Sequence, residues 1–169
     1  MKSIDPLLYY FDNDGVTPNN RLPVLLYKNV LAEITGDFAS SLEKIFQQNN
    51  WIGNWRDIVL DKDHYHSTTH EVLGISKGSV DLMLGGANGK QFSVSAGDVL
   101  IIPAGVAHCS LDNSSDYEVI GGYPEGRSWD MIYCEPEKYK EAKVVIDGLP
   151  LPKSDPLFGE EGPLTYLWK

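Results

Sequence analysis

The sequence predicts an antiparallel all-β sandwich or barrel with a minor α component, and three observations carry that prediction. From about residue 55 to 123 the chain is a succession of short apolar runs broken by Gly, Asn and Asp, the texture of closely spaced strands. The breaks at 85–89 (Gly-Gly-Ala-Asn-Gly) and 95–98 (Ser-Ala-Gly-Asp) have turn chemistry, because Gly and Asn reach backbone conformations that other residues avoid. One stretch, between Gly36 and Trp51, instead repeats its apolar residues at helical spacing.

Taken in order, the N-terminal segment to Phe11 has Lys2 as its one basic residue and is interrupted by Asp5-Pro6, so no secretory signal is expected. The longest apolar stretches, 22–27 and 99–107, fall short of the ~20 residues that a bilayer-spanning helix needs. In the helix, Phe38, Leu42, Ile45 and Phe46 fall on one face, and Asp37 is placed to cap its start. Strands are expected at 58–60, 71–76, 80–84, 92–94, 99–102 and 117–120. Val99-Leu100-Ile101-Ile102 does not alternate, so both of its faces should be buried, one inside the barrel and one under a second layer. A short helix is expected over 135–142 with Pro136 in its first turn. The tail from Gly148 holds four prolines but also Leu157, Phe158, Leu164 and Trp168, too much apolar area for a free tail, so it should be pinned against the domain or a partner subunit.

The chain has 169 residues, 14 Lys+Arg against 24 Asp+Glu, and a net charge of -10. Nucleic acid and anionic membrane surfaces are therefore poor partners, since both call for a clustered basic surface. With 42% apolar residues and no linker, residues 1–169 read as a single domain able to fold without metal or disulfide staples. Cys109 and Cys134 form no CxxC pair, and a reducing, cytoplasmic compartment is the expectation.

The chemistry is concentrated in the histidines. His64 and His66 are two apart, so on a strand both imidazoles aim at one point. Glu71 has the wrong parity to join them on a straight strand, and the chain must bend within Ser67-Thr68-Thr69 to bring its carboxylate to the same point. Beyond that bend Leu73 and Ile75 should share the face of Glu71 and line the pocket, with His70 and Val72 pointing away. His108 follows the turn Pro103-Ala104-Gly105, which should return the chain antiparallel to 99–102 and set a third imidazole on a neighbouring strand. Three imidazoles and a carboxylate suit one divalent ion of borderline hardness (Fe, Mn, Ni, Co or Zn), with two of six positions open to water, substrate or dioxygen.

These residues resemble the cupin superfamily. His64-Tyr65-His66, Glu71 and Gly78 match its first motif, G-x5-H-x-H-x(3,4)-E-x6-G, with Ile58 in place of the leading glycine. Gly97, Pro103, Gly105 and His108 match the second, G-x5-P-x-G-x2-H-x3-N, with Asp112 in place of its asparagine. Asp14-Gly15, Leu22-Pro23, Tyr123-Pro124, Trp129-Asp130 and Gly162-Pro163-Leu164 extend the similarity to small single-domain cupins of the YjlB type. The resemblance implies a double-stranded β-helix, or jelly-roll barrel, with an N-terminal helix, an ordered C-terminal tail and a metal held by His64, His66, Glu71 and His108.

The function expected is a mononuclear metalloenzyme for a small molecule, with dioxygen-dependent oxidation first, a metal-dependent isomerase or lyase as an alternative, and a non-catalytic binding cupin as the reading from another class. No general base is assignable. Beside these sharp readings stand bland ones: His70 as a residue that orients a ligand from behind or lies at an interface, Cys109 as a buried small hydrophobe, and the four tryptophans as core or interface residues rather than a ring-stacking site. Exposed apolar strands and the aromatic tail point to a homodimer.

Overall fold

The structure, a computed structural model, describes residues 4–169, so the part of the N-terminal expectation that rests on Met1, Lys2 and Ser3 lies outside it. In chain order the strands are β1 (Leu7–Phe11), β2 (Asn20–Tyr27), β3 (Trp51–Asp57), β4 (His64–Tyr65), β5 (Glu71–Lys77), β6 (Ser79–Leu84), β7 (Lys90–Ser95), β8 (Val99–Ile102), β9 (His108–Asn113), β10 (Glu118–Pro124) and β11 (Ile132–Tyr133). They form two antiparallel sheets, one in the order β1-β2-β8-β5-β10-β3 and the other β11-β4-β9-β6-β7.

The burial pattern says how the sheets sit. On β6 and β7 Val80, Leu82, Leu84, Phe92 and Val94 are buried and alternate with exposed or half-buried residues, so that sheet has one face on the core and one on solvent. All four residues of β8 are buried. Leu100 and Ile102 join Leu73, Ile75, Leu82 and Val119 in the core between the sheets. Val99 and Ile101 belong to a second core on the opposite face, with Leu42 and Phe46 of the helix α1 (Phe38–Gln48) and Trp168 of the tail. The double burial expected of this run is the double burial observed.

Helix α1 begins where Asp37 accepts from the amides of Ala39 (3.3 Å) and Ser40 (3.1 Å), satisfying donors that the first turn leaves free. The tail is pinned by a buried carboxylate. Asp155 accepts from the Tyr27 hydroxyl at 2.6 Å and from the amides of Leu157, Phe158 and Leu164 at 2.8, 3.2 and 3.1 Å. The Trp168 indole then donates to the Pro23 carbonyl at 2.9 Å.

Four expectations need correction. The apolar run at 58–60 is a loop: the Ile58 amide donates to Asp57 Oδ1 at 2.8 Å and leaves the ladder, and Ser110 holds the loop through the Val59 and Leu60 carbonyls, both at 2.8 Å. The sheets begin well before residue 55, because 7–11, 20–27 and 51–57 are strands. The C-terminal helix starts later than expected: 136–138 is a 3₁₀ turn, and α2 (Tyr139–Asp147) follows, with Ala142 and Ile146 packed on Tyr65, Ala104 and Ala107. Finally, the turn after β8 does not pair β9 with β8. It carries the chain into the other sheet, where β9 lies between β4 and β6. Gly105 makes this crossing possible with φ +86°, and a Cβ there would stand 2.5 Å from the Asn19 carbonyl oxygen. No helix of the described residues is long and apolar enough to cross a membrane.

Candidate metal centre

The site forms where one end of β5 faces β4 and β9 across the barrel. His64 is in register with His108 across the β4–β9 pair, and their rings lie 4.4 Å apart. His66 is two residues beyond His64, its ring 5.7 Å from His64 and 5.6 Å from His108, while Tyr65 between them faces the outer α2 layer. The ligand atoms of the three imidazoles lie within 4.8 Å of one another, and all three rings are buried.

The bend at 67–68 occurs as expected and is locked from outside. Asp130 accepts from the amides of Ser67 (2.7 Å) and Thr68 (3.2 Å), from Thr68 Oγ1 (3.1 Å) and from the Ser67 hydroxyl. Beyond the bend Glu71 opens β5, and its Oε2 stands 3.3 Å from His66 Nε2 and 3.2 Å from His108 Nε2. Glu71 reaches two of the imidazoles in this way; the compact group of mutual ligand atoms is the three histidines.

Which ring nitrogen carries the proton follows from the partners. His64 Nδ1 faces the Lys62 carbonyl at 2.8 Å, His108 Nδ1 faces the Val106 carbonyl at 3.0 Å, and His66 Nδ1 bonds the Asp130 carbonyl. A carbonyl only accepts, so each Nδ1 bears hydrogen and each neutral ring presents an Nε2 lone pair. Opposite these stands Glu71 Oε2, buried and without a hydrogen-bond donor. Buried acceptors converging on one point with no donor among them are costly as they stand. A divalent cation satisfies all of them, so the residues fit the group that the sequence implies.

Electrostatics set the rings apart. Burial holds His64 down near 4, with His108 beside it adding to the effect. Burial also works downward on His66, but the Glu71 carboxylate and the Asp130 carbonyl outweigh it and the net direction is up. Burial alone would raise Glu71, yet His66 and His108 hold its carboxyl far below the usual range.

The remaining oxygen of Glu71 is taken. Tyr123 donates to Oε1 at 3.3 Å and accepts from the Trp55 indole at 2.9 Å. Burial, then the Glu71 charge, push the Tyr123 phenol upward, so it stays a donor. Trp55 can lie here because β10 carries Gly121 opposite it; a Cβ there would meet the ring at 2.0 Å.

The cluster opens into a cavity of about 410 Å³ whose other walls include Trp55, Val59, Leu73, Tyr123, Trp129 and Met131. Leu73 lines it as expected, whereas Ile75 lies deeper, in the core between the sheets, and does not reach it. His70 points away: its Nδ1 accepts from the Ala104 amide at 3.0 Å and its ring packs 4.8 Å from that of Trp168. Trp51 and Trp168 are core residues, but Trp55 and Trp129 are cavity walls. Tyr123 and Asp130 are among the residues that carry the family resemblance, but nothing in the sequence assigned them or Asp57 a place in the site. The parity of β10 could have found Tyr123, since Val119, Gly121 and Tyr123 share the barrel face. No local pattern marks Asp130, whose partners are more than 60 residues earlier.

No protein-family model matches the chain. The uncharacterized protein YjlB of Bacillus subtilis strain 168 is 37% identical over 161 residues, which is 95% of this chain and 94% of that protein. Among solved structures, an acireductone dioxygenase of Bacillus anthracis with a cadmium ion in its active centre is similar at TM-score 0.48 and 16% identity, over 65% of this chain and 83% of that one. A DUF861 family protein of Thermotoga maritima is similar at TM-score 0.39 and 22% identity, over 59% and 98%.

Proposed function

This chain belongs to the cupin superfamily, in the group of YjlB, and from that premise we propose that it is a small-molecule metalloenzyme in which His64, His66, Glu71 and His108 hold one divalent transition ion. The observation that supports this most is the set of three Nδ1–carbonyl bonds, which aims three Nε2 lone pairs at the donor-less Oε2 of Glu71. A bound ion there would supply Lewis-acid and redox chemistry, and dioxygen-dependent oxidation is the reaction we favour. The protein's own part is to hold the ligands in one tautomer, keep Glu71 ionised and keep water out with an apolar wall. Tyr123 fixes the second Glu71 oxygen, so the carboxylate turns a single oxygen to the cluster.

The second reading is a metal-dependent isomerase or lyase, and Asp57 favours it as the one further carboxylate on the cavity wall. Oxygen uptake by metal-loaded protein separates the two. A barrel that captures its ligand without turnover is the reading left if neither uptake nor proton exchange is seen.

Purified protein should carry close to one equivalent of transition metal, and His64→Ala or His108→Ala should each lose most of it. Elemental analysis finding wild type and variants equally free of metal would overturn the proposal. We place the protein in the cytoplasm, with Cys109 and Cys134 both free, and propose a homodimer. Leu7 (50% exposed) and Tyr10 (65% exposed) on the edge strand β1 support the dimer, and light scattering showing a monomer at every concentration would sink it.

A further inference from the structure

We infer that the ligand of this cavity is an uncharged aromatic ring compound of one or two rings carrying a hydroxyl or amino donor, and not an organic acid. The inference deepens the metalloenzyme reading by naming its substrate class, and it rests on the walls rather than on the metal.

Charge is the first ground. Asp57 and Glu71 are the charged residues lining the cavity, and no lysine or arginine joins them. The whole chain adds a net charge of -10. In the metal-free cavity, a carboxylate entering would give up its hydration and meet like charge in return. Hydrogen bonding is the second. The side-chain donors of the wall are spent on each other, Trp55 on Tyr123 and Tyr123 on Glu71, so no side-chain donor is left over to receive an anion. What remains is an acceptor, the second oxygen of Asp57, and an acceptor selects a ligand with an O–H or N–H.

Shape is the third ground. Tyr123 and Trp129 stack with their planes 23° apart, and both stand edge-on to His66, at 87° and 70°. This continuous aromatic wall leads from the outside to the histidine cluster, and Leu73 and Val59 complete an apolar enclosure. Aromatic faces of this kind bind flat rings by stacking and edge contacts. The volume of about 410 Å³ is at the small end for ligand pockets, which limits the guest to one or two rings. Trp129 is 50% exposed, so part of its surface is free for a ligand to cover.

The test is calorimetry on full-length protein stripped of metal with EDTA, using 2-naphthol and 2-naphthoate, which share a ring system and differ in charge. Expected is binding of 2-naphthol at least tenfold tighter than 2-naphthoate. Trp129→Ala, at a half-exposed position, should weaken 2-naphthol roughly tenfold, and Asp57→Asn should narrow the gap between the two probes. Equal or tighter binding of 2-naphthoate, no binding of either, or no effect of Trp129→Ala would each overturn the inference. Because metal is absent throughout, these results stand apart from the metal-content measurement: ring binding without metal in the native protein leaves this inference standing while the metalloenzyme reading falls, and the reverse result does the opposite.

Discussion

Asp130 shows how much of the centre depends on a residue that touches no ligand atom of the cluster with its side chain. Its carboxylate fastens the Ser67-Thr68 bend, and its own carbonyl orients His66, so one residue sets both the direction of an imidazole and the point at which Glu71 re-enters the barrel. Burial would raise this carboxyl, but the Ser67 and Thr68 bonds outweigh it and hold it below the usual range, so it accepts as an anion. Partners that orient a ligand from behind typically contribute 10–100-fold to metal affinity. Asp130→Ala should therefore weaken metal binding by roughly that factor, while circular dichroism stays native. A competitive chelator titration checks it, and Asp130→Asn, which retains one oxygen, should fall between the two. An unchanged affinity in the Ala variant would mean that the bend holds itself.

Among the elements, the C-terminal tail is organised around one buried group. Removing the Asp155 carboxylate leaves the Tyr27 hydroxyl and three amides without an acceptor inside the outer core. Each such group costs about 1–3 kcal/mol, so Asp155→Ala should lower stability by at least about 4 kcal/mol in a urea titration. Tyr27→Phe removes one donor cleanly and should cost about 1 kcal/mol. Equal effects would show that the hydroxyl, not the tail, carries the contribution. The comparison also marks what local pattern can reveal. Helix α1 and strands β5 to β8 are legible because their periodicity and turn residues are written within a few positions. The convergence of His64, His66, Glu71 and His108 is legible too, since strand parity and one bend determine it. Strand β2 shows the same apolar run as a buried strand, but its neighbours β1 and β8 lie in separate parts of the chain, so its place in the sheet does not follow from its own residues. Asp155 bonds Tyr27 across 128 positions, and Trp55 meets Tyr123 across 68; such pairs exist only once the sheets are assembled. The loop at 58–60 misleads for a related reason: its apolar side chains face a cavity, which periodicity reads as a core.

For the whole molecule, the centre joins the two sheets, His64, His66 and His108 on one side and Glu71 on the other, so an ion held there ties the halves of the barrel together. An ion that binds the folded chain and not the unfolded one stabilises it by about 4 kcal/mol at a thousandfold excess over Kd. For a chain of this size each kcal/mol moves Tm by about 2–4 °C, so stripping the metal should lower Tm by about 10 °C. The sign with pH follows from the protons that the ion must displace. The metal increment is fully present where the imidazoles are neutral and is lost as pH falls, because protons then compete for Nε2. His66, raised above its ordinary value by Glu71 against the pull of burial, protonates before His64, which burial holds near 4. The Tm difference between metal-loaded and EDTA-treated protein should therefore be largest above neutral pH, shrink as His66 takes its proton, and vanish by about pH 4. His108→Ala should show no EDTA-dependent shift at any pH. A shift that persists unchanged in that variant, or one that grows on acidification, would place the stabilising ion somewhere other than between the sheets.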